Sequence, residues 1–285
     1  MNDTLNQRIS VDKKAVFFLT FLAMLLIFSS CRRPASSSVN IIGSTTVTPL
    51  MERLVAVYEE DKEHRFDIQS LGSTMGVNSV RDGHTPIGMS SRSLTDEERT
   101  KGVIAHQIAI EALAVAVNYD NPIDSLSHQQ IHDIFSGKIT NWNQVGGFDR
   151  PIVVISREAG SGARATFEAL LKLQENKESL IDSIKLLIIG DGTGQVRANV
   201  ASKIEGIGYM SVAVVDGQRV KAIRIDGYAP TMENIQQGLY LLSEPLYLLT
   251  RADSPREITQ FLEWILSPAG QAVVVEFGAV PVRMP

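Results

Sequence analysis

Short apolar runs alternate along the chain with stretches whose apolar residues recur every three or four positions. Runs at 39–42, 66–70, 113–118, 152–156, 185–189, 207–210 and 246–250 predict strands. Between the first two, Leu50, Leu54, Val57 and Tyr58 fall on one helix face, and Ile258, Phe261, Leu262 and Ile265 do so near the end. Strand and helix patterns in alternation predict an α/β fold with a mostly parallel sheet. The segment Asn118-Tyr119-Asp120-Asn121-Pro122 is turn-rich and follows a strand, so it is one candidate crossing between lobes. Ser243-Glu244-Pro245, just before another strand, is a second. No repeat, heptad or low-complexity tract interrupts the pattern.

The first 30 residues follow a different logic. Arg8, Lys13 and Lys14 precede an apolar run from Ala15 to Phe28 that is broken only by Thr20. The run is shorter than the roughly 20 residues of a membrane span and suits the apolar core of an export signal. It ends in Phe28-Ser29-Ser30-Cys31, which resembles a bacterial lipobox with Phe28 where leucine is usual. Residues 1–30 are then a lipoprotein signal peptide. Cys31 carries the lipid and anchors the protein to the membrane, and residues 31–38 form a polar tether. The competing reading is an uncleaved anchor helix with an incidental cysteine. Cys31 is the chain's one cysteine, so an internal disulfide is excluded.

Composition narrows the function. The 285 residues are 44% hydrophobic and 21% charged, enough apolar matter for one large domain or two small ones. A net charge of −5 gives no bulk field for nucleic acid. Any anion site must be local.

Three segments have the design such a site needs: a strand end, a turn rich in Gly, Ser and Thr, then a helix. They are Gly43-Ser44-Thr45-Thr46-Val47, Gly72-Ser73-Thr74-Met75-Gly76-Val77 and Gly160-Ser161-Gly162-Ala163. Free N–H groups and the positive dipole end favour an anion at each helix start. Ser and Thr are also ordinary N-caps, which is the plainer account of any one turn taken singly. A helix N-terminus contributes about 0.3–1 kcal/mol, up to about 2 when partly buried, so three give a few. Micromolar binding needs about 8 kcal/mol. Arg157, just before the third turn, can supply the remainder through bidentate charge-assisted bonds. Its alternative role is a structural ion pair with Glu158 or another acid.

Catalytic patterns are incomplete. Ala159-Gly160-Ser161-Gly162-Ala163 misses both outer glycines of the hydrolase elbow. His128 and His132 have the spacing of a zinc helix, but Gln129 stands where its catalytic Glu belongs, and a polar helix face accounts for them. His64, His84 and His106 are isolated. Gly190-Asp191-Gly192-Thr193-Gly194 lacks a P-loop lysine and reads as a cleft loop or simple turn. Neither a cofactor nor a metal site is expected, and no enzyme activity.

From Val39 to Pro285 the chain resembles the phosphate-binding proteins of phosphate-specific ABC transport systems. The resemblance rests on GSTTV at Gly43, GSTMGV at Gly72, IGMSSR at Ile87 and REAGSGARATFE at Arg157. Further support comes from ITNW at Ile139, IGYM at Ile207, the run APTMENIQQGLYLLSEPLYLLT from Ala229, and LSPAGQAVVVEFGAVPV from Leu266. It implies a type II periplasmic-binding-protein fold with two lobes, two crossings and a ligand in the cleft. Lobe 1 would comprise 39–117 and 246–285, and lobe 2 would comprise 118–245. By motif position the resemblance assigns phosphate to Thr45, Thr46, Ser73, Ser91, Arg157, Ser161, Gly162 and Ala163. It also implies an exported monomer at the cell envelope that hands inorganic phosphate to ABC permease subunits. The chain departs from the pattern at four positions. Pro86 replaces a common acid, and Ser91 stands where well-known members carry a ligand-contacting Asp. Ala159 replaces an acid that often orients the arginine, leaving that work to Glu158 or another acid. Ala163 replaces a Thr. A phosphate sensor or scavenger, or a binder of another tetrahedral oxyanion, fits the same residues.

Overall fold

The computed structural model describes residues 38–60 and 65–282. The export signal, Cys31 and the tether before Ser38 lie outside them. The strands in chain order are β1 (Val39–Gly43), β2 (Phe66–Ser70), β3 (Ile87–Ser90), β4 (Val103–Asn118), β5 (Ser125–Leu126), β6 (Val153–Arg157) and β7 (Gln174–Glu175). They continue with β8 (Glu178–Ser179), β9 (Leu187–Gly190), β10 (Gly206–Ser211), β11 (Val220–Ala222), β12 (Arg224–Ile225), β13 (Ser243–Arg251) and β14 (Val280–Pro281). The helices are α1 (Thr48–Glu59), α2 (Ser73–Arg81), α3 (Asp96–Thr100), α4 (His128–Phe135), α5 (Gly162–Leu171), α6 (Thr193–Ala201), α7 (Met232–Gln236), α8 (Arg256–Ile265) and α9 (Pro268–Phe277).

One continuous sheet runs β2-β1-β3-β13-β4-β10-β6-β9. Its two ends are parallel, β2-β1-β3 on one side and β10-β6-β9 on the other. Between them β13 and β4 run antiparallel to each other and to their neighbours. Each parallel end is the βα product that the sequence pattern predicts, and each has its own core. The first gathers Ile41, Leu50, Leu54, Ile87, Ile108, Ala109, Phe261 and Val274. The second gathers Ala112, Leu113, Val115, Phe135, Trp142, Phe167, Ile207 and Tyr209. This is the two-lobed α/β fold, and the lobes meet on β4.

The first partner change falls elsewhere than in the Asn118–Pro122 turn that the sequence suggested. β4 is 16 residues long. It bonds β13 from Val103 to Ala112 and β10 from Leu113 to Val117. The partner change therefore occurs inside the strand, before the Asn118–Pro122 turn. Ser243, Glu244 and Pro245 likewise belong to β13 and pair with Ala112, Glu111 and Ile110. Polar residues such as His106, Gln107 and Glu111 broke the apolar run and hid the first half of β4. A strand buried in the middle of a sheet does not need strict alternation.

Candidate functional site

Arg157 ends β6, and its side chain is only 2% exposed. Its Nε and Nη2 donate to Glu158 Oε2 and Oε1 at 2.8 and 2.7 Å, a two-pronged clamp that fixes the guanidinium plane. The remaining donors face the cleft. Nη1 reaches Thr193 Oγ1 at 3.1 Å, and Nη2 reaches Thr45 Oγ1 at 2.9 Å. Burial pushes the Glu158 carboxyl up, but the hydrogen bond and charge of Arg157 and the Gly192 N–H outweigh it, holding the group below its ordinary range. Glu158 is therefore an anion that orients the arginine. Both roles considered for Arg157 hold at once: one edge pairs, the other edge is presented.

Further contacts fix this geometry from behind. The Arg157 N–H donates to Tyr209 Oη at 3.3 Å, and that hydroxyl also bonds Ser156 Oγ at 2.8 Å. Tyr209 stacks on Phe167 with ring centroids 3.9 Å apart. Arg164 on α5 donates to the Arg157 carbonyl at 3.1 Å while paired with Glu168 and Asp182.

The helix starts converge on the same point. Ser44 Oγ accepts from the N–H groups of Thr46 and Val47 at 3.2 and 3.4 Å, so Ser44 caps the first turn. Thr46 is buried with its N–H so used, while Thr45 is the residue that reaches Arg157. Ser73 opens α2 after Gly72 at φ 89°, and Thr193 opens α6 after Gly192 at φ 88°. Both glycines lie where L side chains are strained, and both turn a strand sharply into a helix. Ser161 caps α5 by accepting from the Arg164 N–H, so Gly162 and Ala163 occupy the first helical turn with no intrahelical acceptor for their N–H groups. Ser91 follows β3 and lies fully buried among Ser44 Oγ at 3.1 Å and Ser73 Oγ at 3.5 Å.

Direct hydrogen bonds join the two walls. Thr74 N and Oγ1 both donate to the Gly160 carbonyl, at 3.2 and 3.0 Å. Thr166 Oγ1 donates to the Ser91 carbonyl at 3.0 Å, and Thr45 and Thr193 hydroxyls stand 3.3 Å apart. The cleft is closed. A cavity of about 710 Å³ borders it through Thr74, Gly160 and Ser161, but its wall continues to Arg92, Glu168 and Lys177, away from Arg157.

Sequence reasoning passed over Ser44, Thr193 and Glu244. Ser44 lay inside a flagged motif, Thr193 inside a segment read as a cleft loop, and Glu244 inside a proposed crossing. The signal for Glu244 was present: one acid in the apolar stretch Leu239–Leu249. His64 lies outside the described residues, and the other histidines stay apart from the site. His132 Nδ1 pairs with Asp133 at 3.0 Å on α4, and among the described residues no group of acids, histidines or cysteines is placed to hold a metal.

The two-lobed α/β fold is that of the type II periplasmic binding proteins, and here its cleft gathers one clamped arginine and several helix starts. Residues 30–269 match the model of the PBP superfamily domain, and the chain belongs to that superfamily. It is 28% identical over 290 residues to the phosphate-binding protein PstS of Bacillus subtilis, covering 94% of both chains. PstS of Borreliella burgdorferi is 26% identical over 281 residues, covering 95% of this chain and 99% of the relative. Among solved structures, a putative phosphate ABC transporter substrate-binding protein with bound phosphate from Clostridium perfringens is similar at a TM-score of 0.81. The two are 34% identical over 87% of this chain and all of the other. An ABC-type phosphate transport receptor from Vibrio cholerae gives a TM-score of 0.69 and 33% identity over the same share of this chain.

Proposed function

We propose that this chain captures inorganic phosphate in its interlobe cleft and delivers it to an ABC importer. The observation that carries this reading is the buried Arg157 guanidinium, held by Glu158 on one edge and offered to hydroxyls of both lobes on the other. A tetrahedral oxyanion takes the place of those hydroxyls as acceptor, so Thr45 and Thr193 turn to bind it as donors. Ser73, Ser91 and Ser161 add hydroxyls, while Thr46, Gly162 and Ala163 line the helix starts around it. In this reading the lobes part near Ala112 on β4 and Ser243 on β13, and the protein is a monomeric carrier rather than a catalyst. The names of the similar proteins support phosphate as the ligand.

Titration calorimetry with phosphate, sulfate and molybdate tests it. Phosphate is expected to bind at micromolar concentration or tighter, releasing at least about 8 kcal/mol of free energy. Sulfate is expected to compete when in about a hundredfold excess, because a neutral serine at 91 imposes no charge penalty on it. Absence of phosphate binding, or tighter binding of molybdate, would sink the assignment.

We also place the protein at the cell envelope with a lipid on Cys31. Among the described residues no helix is long and apolar enough to cross a membrane. Cys31→Ser is expected to move the full-length protein from the detergent phase to the aqueous phase. Unchanged partitioning of a cleaved Cys31→Ser chain excludes the anchor.

A further inference from the structure

Behind Ser91 lies a pair of carboxyl groups that the reading above leaves unused. Glu244 on β13 is directly opposite Glu111 on β4, at the place where β4 changes partner. Both are buried, Glu244 completely. Glu111 Oε1 accepts from Ser211 Oγ at 2.6 Å and from the Ala213 N–H at 3.4 Å, but Oε2 has no partner. Neither oxygen of Glu244 has a formed hydrogen bond. The charged groups that act on Glu244 are Glu111 across the strand pair and Arg157 in the cleft. The Ser91 hydroxyl acts on it too.

Two adjacent buried carboxylates with three of their four oxygens unpartnered are prohibitive, and such groups keep protons instead. We propose that Glu244 is a positioning residue of the anion site: its carboxyl group retains a proton and donates it to Ser91 Oγ, turning the Ser91 hydroxyl hydrogen toward the ligand. The inference rests on the cleft being an oxyanion site.

The argument is a count of lone pairs. A serine oxygen has two acceptor positions and one O–H. Ser44 Oγ already donates to Ser91 Oγ, because Ser44 spends its own acceptor capacity on the N–H groups of Thr46 and Val47. A proton from Glu244 fills the second acceptor position after a small rotation of the side chain. The Ser91 O–H can then only donate, and its open direction is toward Ser73 and the cleft. An ionised Glu244 reverses this. It draws the Ser91 O–H backward, leaves a lone pair facing the anion, and puts a negative charge behind it.

Burial and then the charge of Glu111 push the Glu244 carboxyl well above its ordinary range, while Ser91 and Arg157 pull the other way with less effect. Burial likewise pushes Glu111 up to about 7, against the bonds from Ser211 and Ala213. The sign follows. Anion affinity is fully present while Glu244 is protonated. It falls as pH rises through the Glu244 pKa of the free protein, by up to about tenfold per pH unit.

The experiment measures phosphate Kd for the parent, Glu244→Gln and Glu111→Gln, from about pH 5 to about pH 9, the carboxyl range as moved upward by burial. Phosphate's own titration is common to all three proteins and cancels in ratios. A glutamine mimics the protonated acid at every pH, so the ratio of parent Kd to Glu244→Gln Kd is expected to climb about tenfold or more from the acid to the alkaline end. Glu111→Gln removes the like charge, so its affinity is expected to start falling at a lower pH than the parent's. A ratio constant within about twofold overturns the proposal, as does near-total loss of binding by a folded Glu244→Gln protein at every pH. The second result means that the site needs the carboxylate rather than the acid. If Glu244→Gln does not fold, an unchanged onset in Glu111→Gln overturns it alone. A parent that binds no phosphate at any pH refutes the oxyanion reading itself, which is a different failure.

Discussion

Arg157→Ala is expected to abolish phosphate binding in a protein that still folds. The side chain is 2% exposed and is the cation that the Thr45 and Thr193 hydroxyls meet from the two lobes. Removing one partner of a buried charged pair costs about 3–5 kcal/mol, because the other charge is left without compensation. Here two negative groups lose their partner, the bound oxyanion and Glu158. At about 1.4 kcal/mol per tenfold, the loss in affinity exceeds a hundredfold. Arg157→Lys should recover little of it, since an ammonium cannot hold both Glu158 oxygens and still present a flat edge to the cleft. Calorimetric titration, with circular dichroism to confirm folding, decides the matter. Binding by Arg157→Ala within about threefold of the parent would show that the anion sits elsewhere.

Gly162→Ala should be nearly as damaging for a different reason. A Cβ at this position would lie 2.2 Å from Ser73 Oγ and 2.5 Å from Ser91 Oγ, with Ser73 Cβ at 3.0 Å. Ser73 and Ser91 are completely buried, so the hydroxyls have little room to rotate aside. Gly162 opens α5 in one lobe, and the two serines belong to the other. The clash therefore exists only in the closed form. Overpacking of this kind costs about 1–3 kcal/mol, which predicts a loss of about tenfold to a hundredfold in affinity. Thermal stability without ligand should hold or rise, because alanine favours a helix over glycine. Small-angle scattering of Gly162→Ala in saturating phosphate should report a wider particle than the parent. Parent-like affinity would mean that the serines retreat freely and that closure is looser than the hydrogen bonds imply.

What could be read from the chain depended on whether the physics was local. The strand predicted at 66–70 coincides with β2, and that at 152–156 lies one residue from β6. Of the predicted faces, Leu50, Leu54 and Tyr58 and Ile258, Phe261 and Ile265 are buried on α1 and α8, while Val57 and Leu262 are only partly buried at their edges. These signals come from period and turn chemistry alone. Arg157, Thr45, Ser73 and Gly162 were visible because glycine, hydroxyl and arginine types announce anion chemistry at a strand-helix junction, whereas Ser91 was assigned by the family resemblance alone. The structure brings them together, whereas Thr46 is mostly spent on the Ser44 cap. Glu111 carries no such announcement, and Glu244 shows only as one acid in an apolar stretch. Their meaning depends on a pairing between strands some 130 residues apart in sequence, which no local window contains. β3 was missed as a strand for its brevity, four residues with a glycine inside.

The passage of β4 and β13 between the lobes as paired strands has a mechanical consequence. A loose linker would let the lobes swing freely, with many open forms of nearly equal energy. A hydrogen-bonded ribbon instead bends like a leaf spring, about one axis and through a limited arc. Next to the Ala112–Ser243 pair where the lobes part, the ladder is softened by Pro245, which brings no N–H, and by the register shift between Leu246 and Tyr247, where it skips Ile108. Glu111 and Glu244 sit only a few residues from that bend. The carboxyl pair is thus carried by the ribbon itself and not by the helices of either lobe.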